Sequence, residues 1–287
     1  MIRHLKFLGL TAAVIVGLAA CGSSDGSSES KDTTTTSADS QDIEVSTKYM
    51  ESGPNFVGVA TLALPNGDGV EVWYPTTTEP TGQVTYDVRD FVPDALKTLL
   101  TGDVPATYSI DATRDAPVAE GTFPVVLFSH GFAGMRLQSS FLTSHLASWG
   151  MVVISPDHAV RDLKHAFVGQ IGDSSQAVTD LFDALDATSA DPRFANALDL
   201  AHVAAVGHSA GGGTVLRAAS DDRVLGYVSL ASGELGGTST ESTSMPNKPS
   251  FFIAGSLDQV VSPTEVTEVA YTKAPSPSIY WLIDGVG

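Results

Sequence analysis

The sequence predicts an α/β fold, in which helices cover both faces of a mostly parallel central sheet. Three short apolar runs, at 123–128, 151–155 and 203–206, have the near-continuous hydrophobicity of strands that are buried on both faces. The helix predicted between the first two runs has a length suited to a right-handed βαβ unit. The composition, with 43% hydrophobic and 17% charged residues in a chain of 287, indicates one folded domain and a polar tail.

The first twenty residues have the order of an export signal. Arg3 and Lys6 precede an apolar run at 7–18, which is too short to span a membrane comfortably. Small residues then lead to Cys21, and Leu-Ala-Ala-Cys resembles the lipobox of bacterial lipoproteins. That resemblance implies removal of residues 1–20, lipid attachment at Cys21 and an exported protein anchored to a bacterial cell membrane. An ordinary signal peptide followed by a stray cysteine is the alternative.

Residues 21–50 are rich in Ser, Thr and Asp and carry few apolar side chains. Such a segment cannot bury enough surface to offset its ordering entropy, so we expect a flexible tether before a domain at 51–287. Cys21 is the only cysteine, which excludes a disulfide within that domain. The formal charge of −18 argues against nucleic acid as a partner, because both carry negative charge.

The domain is predicted to begin with an antiparallel hairpin. Residues 57–64 and 70–75 alternate like strands, and Asn66-Gly67 between them favours a tight turn. Residues 76–120 are less regular. A helix is predicted over Asp90–Leu100, and the remainder resembles an insertion at the rim of a site.

The predicted strand at 123–128 leads into the loop Ser129–Gly134. Apolar residues then recur at helical spacing from Phe141 to Trp149, and the next strand follows at 151–155. We expect a loop at 156–173 and a helix at 174–188, with Val178, Leu181, Phe182 and Leu185 on its buried face.

A sharp turn carrying a serine is predicted at 203–215. A short buried strand ends at Gly207, Ser209 occupies the turn, and a helix begins after it. Glycine fits at 207 and 211 because a Cβ there would clash with the strained serine backbone. This Gly-x-Ser-x-Gly context is typical of a nucleophile elbow, which presents the serine hydroxyl in the open.

Three further strands are predicted, at 224–230, 251–254 and 279–283. Asp258 follows the second of them. The helix after Asp258 starts with Ser262 as a possible cap and Pro263 in its first turn, so Asp258 lies in the loop before it.

Several motifs in this order resemble the α/β-hydrolase superfamily, and within it the dienelactone-hydrolase-like branch that includes platelet-activating-factor acetylhydrolases. They are Val72–Pro75, Phe123–Phe132, Leu146–Gly150, Pro156–His158 and the elbow. The Gly-Ser-Leu-Asp segment is also similar to the acid-bearing loop of bacterial cutinase-like polyester hydrolases. The resemblance covers residue 55 to the end of the chain.

The resemblance implies a role for four residues. Ser209 matches the nucleophile and Asp258 the acid, with Glu234 as the rival for the acid. The oxyanion hole is expected from the backbone N–H groups of Phe132 and Ala210. His130, His158 and His208 are expected to have structural roles, and a role at the rim of the site is the alternative for His158.

No histidine follows Ser209, although the superfamily places its base after the last strand. We therefore expect a truncated chain that lacks its catalytic histidine and the C-terminal end of its domain. The predicted function is a serine hydrolase of short-chain or lipid-like carboxylic esters, or of polyesters, acting through an acyl-enzyme. A non-catalytic, membrane-anchored binding module is the alternative. No cofactor or metal is expected, because neither a dinucleotide fingerprint nor paired histidines at ligand spacing are present.

Overall fold

The computed structural model describes residues 47–97, 106–233 and 244–287. Residues from Ser46 to Gly287 form one compact unit. The predicted signal segment, Cys21, most of the predicted tether and Glu234 lie outside the described residues. Among the residues that are described, no helix has the length and apolar character needed to cross a membrane.

A sheet of nine strands forms the centre of the described domain, and a two-stranded sheet lies beside it. The order in the large sheet is β11-β10-β9-β8-β6-β7-β2-β1-β5. Pairing is antiparallel between β1 and β2 and between β2 and β7, and parallel elsewhere in this sheet. The strands are β1 (Phe56–Ala63), β2 (Gly69–Thr76), β3 (Val84–Asp87), β4 (Thr107–Ile110), β5 (Thr113–Arg114), β6 (Phe123–Ser129), β7 (Val152–Pro156), β8 (Leu198–His208), β9 (Val224–Leu230), β10 (Ser250–Gly255) and β11 (Ser278–Ile283); β3 and β4 form the small sheet.

Helices connect the parallel strands and cover the sheet. They are α1 (Asp94–Lys97), α2 (Ser140–Ser148), α3 (Leu163–Phe167), α4 (Gln176–Ala190), α5 (Ala210–Ala218) and α6 (Glu268–Lys273). A 3₁₀ turn at Val88–Phe91 and a π-helical turn at Pro263–Thr267 complete the described helical elements. Ser262 caps the latter as predicted, because its hydroxyl accepts the Glu265 N–H at 3.1 Å.

The core consists of two apolar clusters, one on each face of the sheet. In β6 the buried side chains alternate between them: Val125 and Leu127 belong to one cluster, and Val126 and Phe128 to the other. Helices α4 and α5 contribute to the first cluster, whereas α2 contributes Ala147 to the second. A strand buried on both faces has no polar side, which explains the continuous apolar run in its sequence. The predicted α/β-hydrolase fold is confirmed.

Two predictions about local structure were wrong. The single helix predicted over Asp90–Leu100 is interrupted, because Pro93 restricts the residue before it and Val92 is extended at φ −114° and ψ 155°. The predicted loop at 156–173 contains α3, whose first turn is capped by the Asp162 carboxylate accepting the His165 N–H at 2.8 Å. Helix α3 has only five residues, too few for a recognisable apolar period.

Candidate active site

Ser209 lies at the turn between the end of β8 and the start of α5. Its backbone has φ 53° and ψ −122°, a left-handed conformation that non-glycine residues rarely adopt. The side chain is partly exposed at the carboxyl edge of the sheet. Strain of this kind persists only where the surrounding structure holds it, and it concentrates at functional sites. The strand, sharp turn and helix predicted around Ser209 are all present.

The two glycines that flank Ser209 allow its turn to pack closely. A Cβ at Gly207 would overlap the carbonyl of Gly211, and a Cβ at Gly211 would overlap the carbonyl of Ser129 at the end of β6. Both contacts are with backbone atoms, which cannot move aside as the end of a flexible side chain can. The requirement for glycine is therefore steric, as the sequence predicted.

The loop after β6 brings one of the two predicted oxyanion donors, the backbone N–H of Phe132, to the elbow. A Cβ on Gly131 would lie 3.4 Å from the Cβ of Ser209, so the Gly131-Phe132 peptide is adjacent to the serine. Its carbonyl accepts the His130 Nδ1–H at 2.8 Å and the Gly134 N–H at 3.2 Å. Because the C=O and N–H of a planar trans peptide point in opposite directions, the Phe132 N–H points away from the side on which these contacts lie.

Neither predicted oxyanion donor is used elsewhere. Within the described residues, the N–H groups of Phe132 and Ala210 donate to no other group. Ala210 is the first residue of α5, where helical N–H groups lack intrahelical partners. Two free donors beside a serine hydroxyl have the composition of an oxyanion hole.

A buried hydrogen-bonded network lies beneath the loop after β6. His158 Nε2 is 2.9 Å from Ser129 Oγ, and its Nδ1 is 3.0 Å from an Asp180 carboxylate oxygen. The His158 N–H donates to His130 Nε2 at 3.0 Å. All four side chains are almost fully buried, so this Ser-His-Asp arrangement cannot reach a substrate. The predicted structural roles of His130 and His158 agree with these contacts.

Burial lowers the pKa of both His130 and His158 well below the ordinary value. The unfolded chain therefore binds protons that the folded protein does not, and stability present above about pH 6.5 is lost as the pH falls. Each such histidine contributes a slope of up to about 1.4 kcal/mol per pH unit. Burial raises the pKa of Asp180, which acts in the opposite direction.

We expect the His130→Gln protein to lose stability less steeply between pH 6.5 and pH 5 than the parent. Urea unfolding at several pH values measures the slope. The same substitution at His202, whose side chain is 66% exposed, is the control for a surface histidine. An unchanged slope in His130→Gln would contradict a neutral, buried His130.

Arg161 is a buried cation near the elbow, and no local pattern in the sequence indicates its role. Only 4% of the residue is exposed. Its guanidinium donates to Ser129 Oγ at 2.7 Å, to the His130 carbonyl at 2.9 Å and to Thr214 Oγ1 at 2.9 Å. Burial lowers its pKa to about 10, so the group keeps its charge at neutral pH.

Asp258, the predicted acid, lies in the loop directly after β10. One of its oxygens accepts the N–H groups of Val260 and Val261, at 2.8 and 2.9 Å, which fixes the orientation of the carboxylate. Its other oxygen has no hydrogen-bond partner among the described residues. Burial lowers the pKa of His208, and the Asp258 carboxylate acts against this shift.

No imidazole in the described residues completes a triad. His4 lies outside them, and none of the other six histidines hydrogen bonds to Ser209 or Asp258. His208 precedes the serine, but its Nδ1 faces the Gln138 amide at 3.2 Å. The structure therefore brings Ser209, Ala210 and Phe132 together and leaves the position of the base unfilled by any described side chain. The same residues contain no group of three or more side chains that could hold a metal ion.

Comparisons with known proteins identify relatives of this chain. The model of the chlorophyllase family matches residues 87–230. Cutinase est2 of Thermobifida alba is 28% identical over 181 residues, which cover 59% of this chain and 54% of that protein. The chain thus spans about half the length of this curated relative.

The structure of a ferulic acid esterase from Streptomyces cinnamoneus is similar in fold, with a TM-score of 0.57 and 21% identity. The match covers 80% of this chain and 73% of that one. These comparisons confirm the predicted similarity to cutinases. The assignment to the dienelactone-hydrolase-like branch stays a prediction.

Proposed function

Because this chain belongs to the chlorophyllase family, we propose that it is a serine hydrolase that cleaves carboxylic esters through an acyl-enzyme. The observation that carries the proposal is the strained backbone of Ser209 beside two N–H groups that donate to no other described residue. Acyl transfer needs this combination, a presented nucleophile and donors for the oxyanion that forms on attack. The names of the cutinase and ferulic acid esterase relatives support the same reaction class.

In the proposed reaction, Ser209 Oγ attacks the ester carbonyl while a base removes its proton. The N–H groups of Phe132 and Ala210 stabilise the negative charge on the carbonyl oxygen. The protonated base then gives its proton to the leaving oxygen, and the alcohol departs to give the acyl-enzyme. Water then attacks the acyl-enzyme with the help of the same base, which releases the acid and restores the serine.

We propose that Asp258 orients the imidazole that serves as the base. Support comes from Asp258 itself, because one of its oxygens is fixed by two backbone N–H groups and the other is free to accept an imidazole N–H. The backbone of Gly287 packs against Leu257 and Asp258, which restricts the loop that carries the carboxylate.

We propose a neutral, fairly apolar ester as the substrate. Phe132, whose own N–H is a predicted oxyanion donor, is 59% exposed, and Leu257 and Val260, on either side of Asp258, are 61% and 91% exposed. Such apolar groups favour an uncharged acyl or alcohol group, and the net charge of −18 disfavours an anionic one. Short-chain and lipid-like esters fit this rim first, and polyesters second.

The test is to trap the acyl-enzyme. We expect p-nitrophenyl acetate, with imidazole added as a substitute base, to acetylate Ser209, because the oxyanion hole assists attack even where the protein base is missing. Peptide mass spectrometry after an acid quench locates the acetyl group. Acetylation confined to lysines or to the chain terminus would contradict the proposal.

A second candidate is a non-catalytic, membrane-anchored binding module that keeps the hydrolase fold. The observation that favours it is the absence, among the described residues, of an imidazole bonded to Ser209 or Asp258. A fluorophosphonate probe distinguishes the two candidates: labelling at Ser209 supports the hydrolase, and an unreacted probe in the presence of imidazole supports the module.

A further inference from the structure

We propose that Arg161 is a positioning residue that joins the two halves of the oxyanion hole. One half is the loop Ser129–Gly134, which carries the Phe132 N–H, and the other is α5, which begins with the Ala210 N–H. The inference rests on the proposed function, because an oxyanion hole has a role only if Ser209 performs acyl transfer.

The first half is held by both the side chain and the backbone of Arg161. One guanidinium nitrogen donates to the His130 carbonyl and to Ser129 Oγ. The Arg161 carbonyl accepts the Ala133 N–H at 2.8 Å, and Ala133 has the strained φ of 52°. These contacts lie on either side of the Gly131-Phe132 peptide, so they restrict it from both ends.

The second half is held by the other terminal guanidinium nitrogen. It donates to Thr214 Oγ1, and that hydroxyl in turn donates to the Ala210 carbonyl at 3.2 Å. The same side chain therefore connects the loop after β6 to the first turn of α5. The distance between two oxyanion donors must be kept within a fraction of an ångström, and a planar guanidinium with donors in fixed directions suits that task.

The buried charge of Arg161 lowers stability, so it is a poor choice for a residue with a purely structural role. Its hydrogen-bond acceptors are all neutral, its Nε has no partner among the described residues, and no carboxylate contacts it there. A buried cation without a paired anion opposes folding. The same positive charge in a water-poor region favours the negative charge that develops at the two donors during attack.

The test compares Arg161→Met, Arg161→Lys and Thr214→Val in the full chain. Amide hydrogen exchange is the first measurement, because it does not depend on activity. In Arg161→Met we expect residues 130–134 and 210–214 to exchange at least about tenfold faster than in the parent, while the central strands keep their protection. In Thr214→Val we expect the increase only at 210–214.

Turnover of p-nitrophenyl acetate with added imidazole is the second measurement. Arg161→Met should lower kcat by about 10- to 100-fold and leave KM within about threefold, since a misplaced oxyanion donor weakens the transition state more than the ground state. Arg161→Lys should recover part of kcat. The same Met substitution at Arg89, whose partly exposed side chain pairs with Asp87, is the control and should match the parent in both measurements.

The outcomes separate the two proposals. If the parent shows no turnover that depends on Ser209, the proposed function fails, and the positioning role of Arg161 in an oxyanion hole fails with it. Parental exchange in both segments of Arg161→Met would overturn the inference, as would faster exchange throughout the domain or a parental kcat. Faster exchange confined to the two segments supports it.

Discussion

Replacing Ser209 with alanine is expected to reduce imidazole-dependent hydrolysis of p-nitrophenyl acetate to the rate of the protein-free solution. In a complete triad, loss of the serine lowers kcat by about 10⁶. With imidazole as a diffusible base, the parental rate is lower than that of a complete triad. We therefore expect Ser209→Ala to lower the rate by at least about 100-fold, which is the lower end of the contribution of acid–base catalysis. Initial rates, corrected for hydrolysis by imidazole alone, measure it.

The loss of activity is specific if it results from removal of the Ser209 hydroxyl alone. Alanine has no oxygen to attack the carbonyl, and the substitution leaves Gly207, Gly211 and both N–H donors in place. Ser220→Ala changes an exposed serine after α5 and should retain the parental rate. Turnover that survives in Ser209→Ala would mean that another group is the nucleophile, and the elbow would then have no catalytic role.

Replacing Glu71 with alanine is expected to cause a large loss of stability. Glu71 lies in the middle of β2 and is only 1% exposed. It accepts hydrogen bonds from Tyr86 at 3.0 Å, from Arg114 at 3.0 Å and from Thr61 at 2.7 Å. A single carboxylate thus links the large sheet to β3 and to the edge strand β5.

Alanine would leave the buried Tyr86 hydroxyl and the Arg114 guanidinium without this acceptor. Removing one partner of a buried ion pair lowers the free energy of unfolding by about 3–5 kcal/mol. We expect a loss of about 2–4 kcal/mol here, because Arg114 is partly exposed. For a domain of this size the midpoint of thermal unfolding should fall by roughly 4–16 °C. Thermal unfolding followed by circular dichroism gives the value.

The control is the exposed pair between Asp94 and Lys97. The Asp94→Ala change removes an acid from a surface ion pair, so its unfolding midpoint should equal that of the parent within error. If Glu71→Ala unfolds at the parental midpoint, the buried carboxylate does not stabilise the contact between the two sheets.

The elements nearest Ser209 were predictable because their signals are local. Gly207, Ser209 and Gly211 lie within five residues, and the steric conflict that requires glycine arises inside this segment and at its contact with β6. The apolar run of β6 is equally local, since burial on both faces removes polar residues from one short stretch. Lipid attachment at Cys21 stays a prediction, because that residue lies outside the described part of the chain.

The helix boundaries were harder to predict where a single residue acts against the pattern. Pro93 interrupts the predicted helix at 90–100, and the signal was present in the sequence. The Asp162 cap of α3 was also visible in principle, as an acid before a short helical segment. Its five residues contain too little periodicity to distinguish a helix from a loop.

By itself, the sequence determined eight of the nine strands of the large sheet, the elbow at Ser209 and the loops that carry Phe132 and Asp258. Only the tertiary structure decided how Arg161, Asp180 and Thr214 are used, because their partners lie on other elements of the fold. A hydrogen bond between side chains distant in sequence depends on strand register and on the packing of the connecting helices, and no local period encodes it. The apolar periods place residues on a face, whereas contacts between elements determine which polar groups on that face find each other.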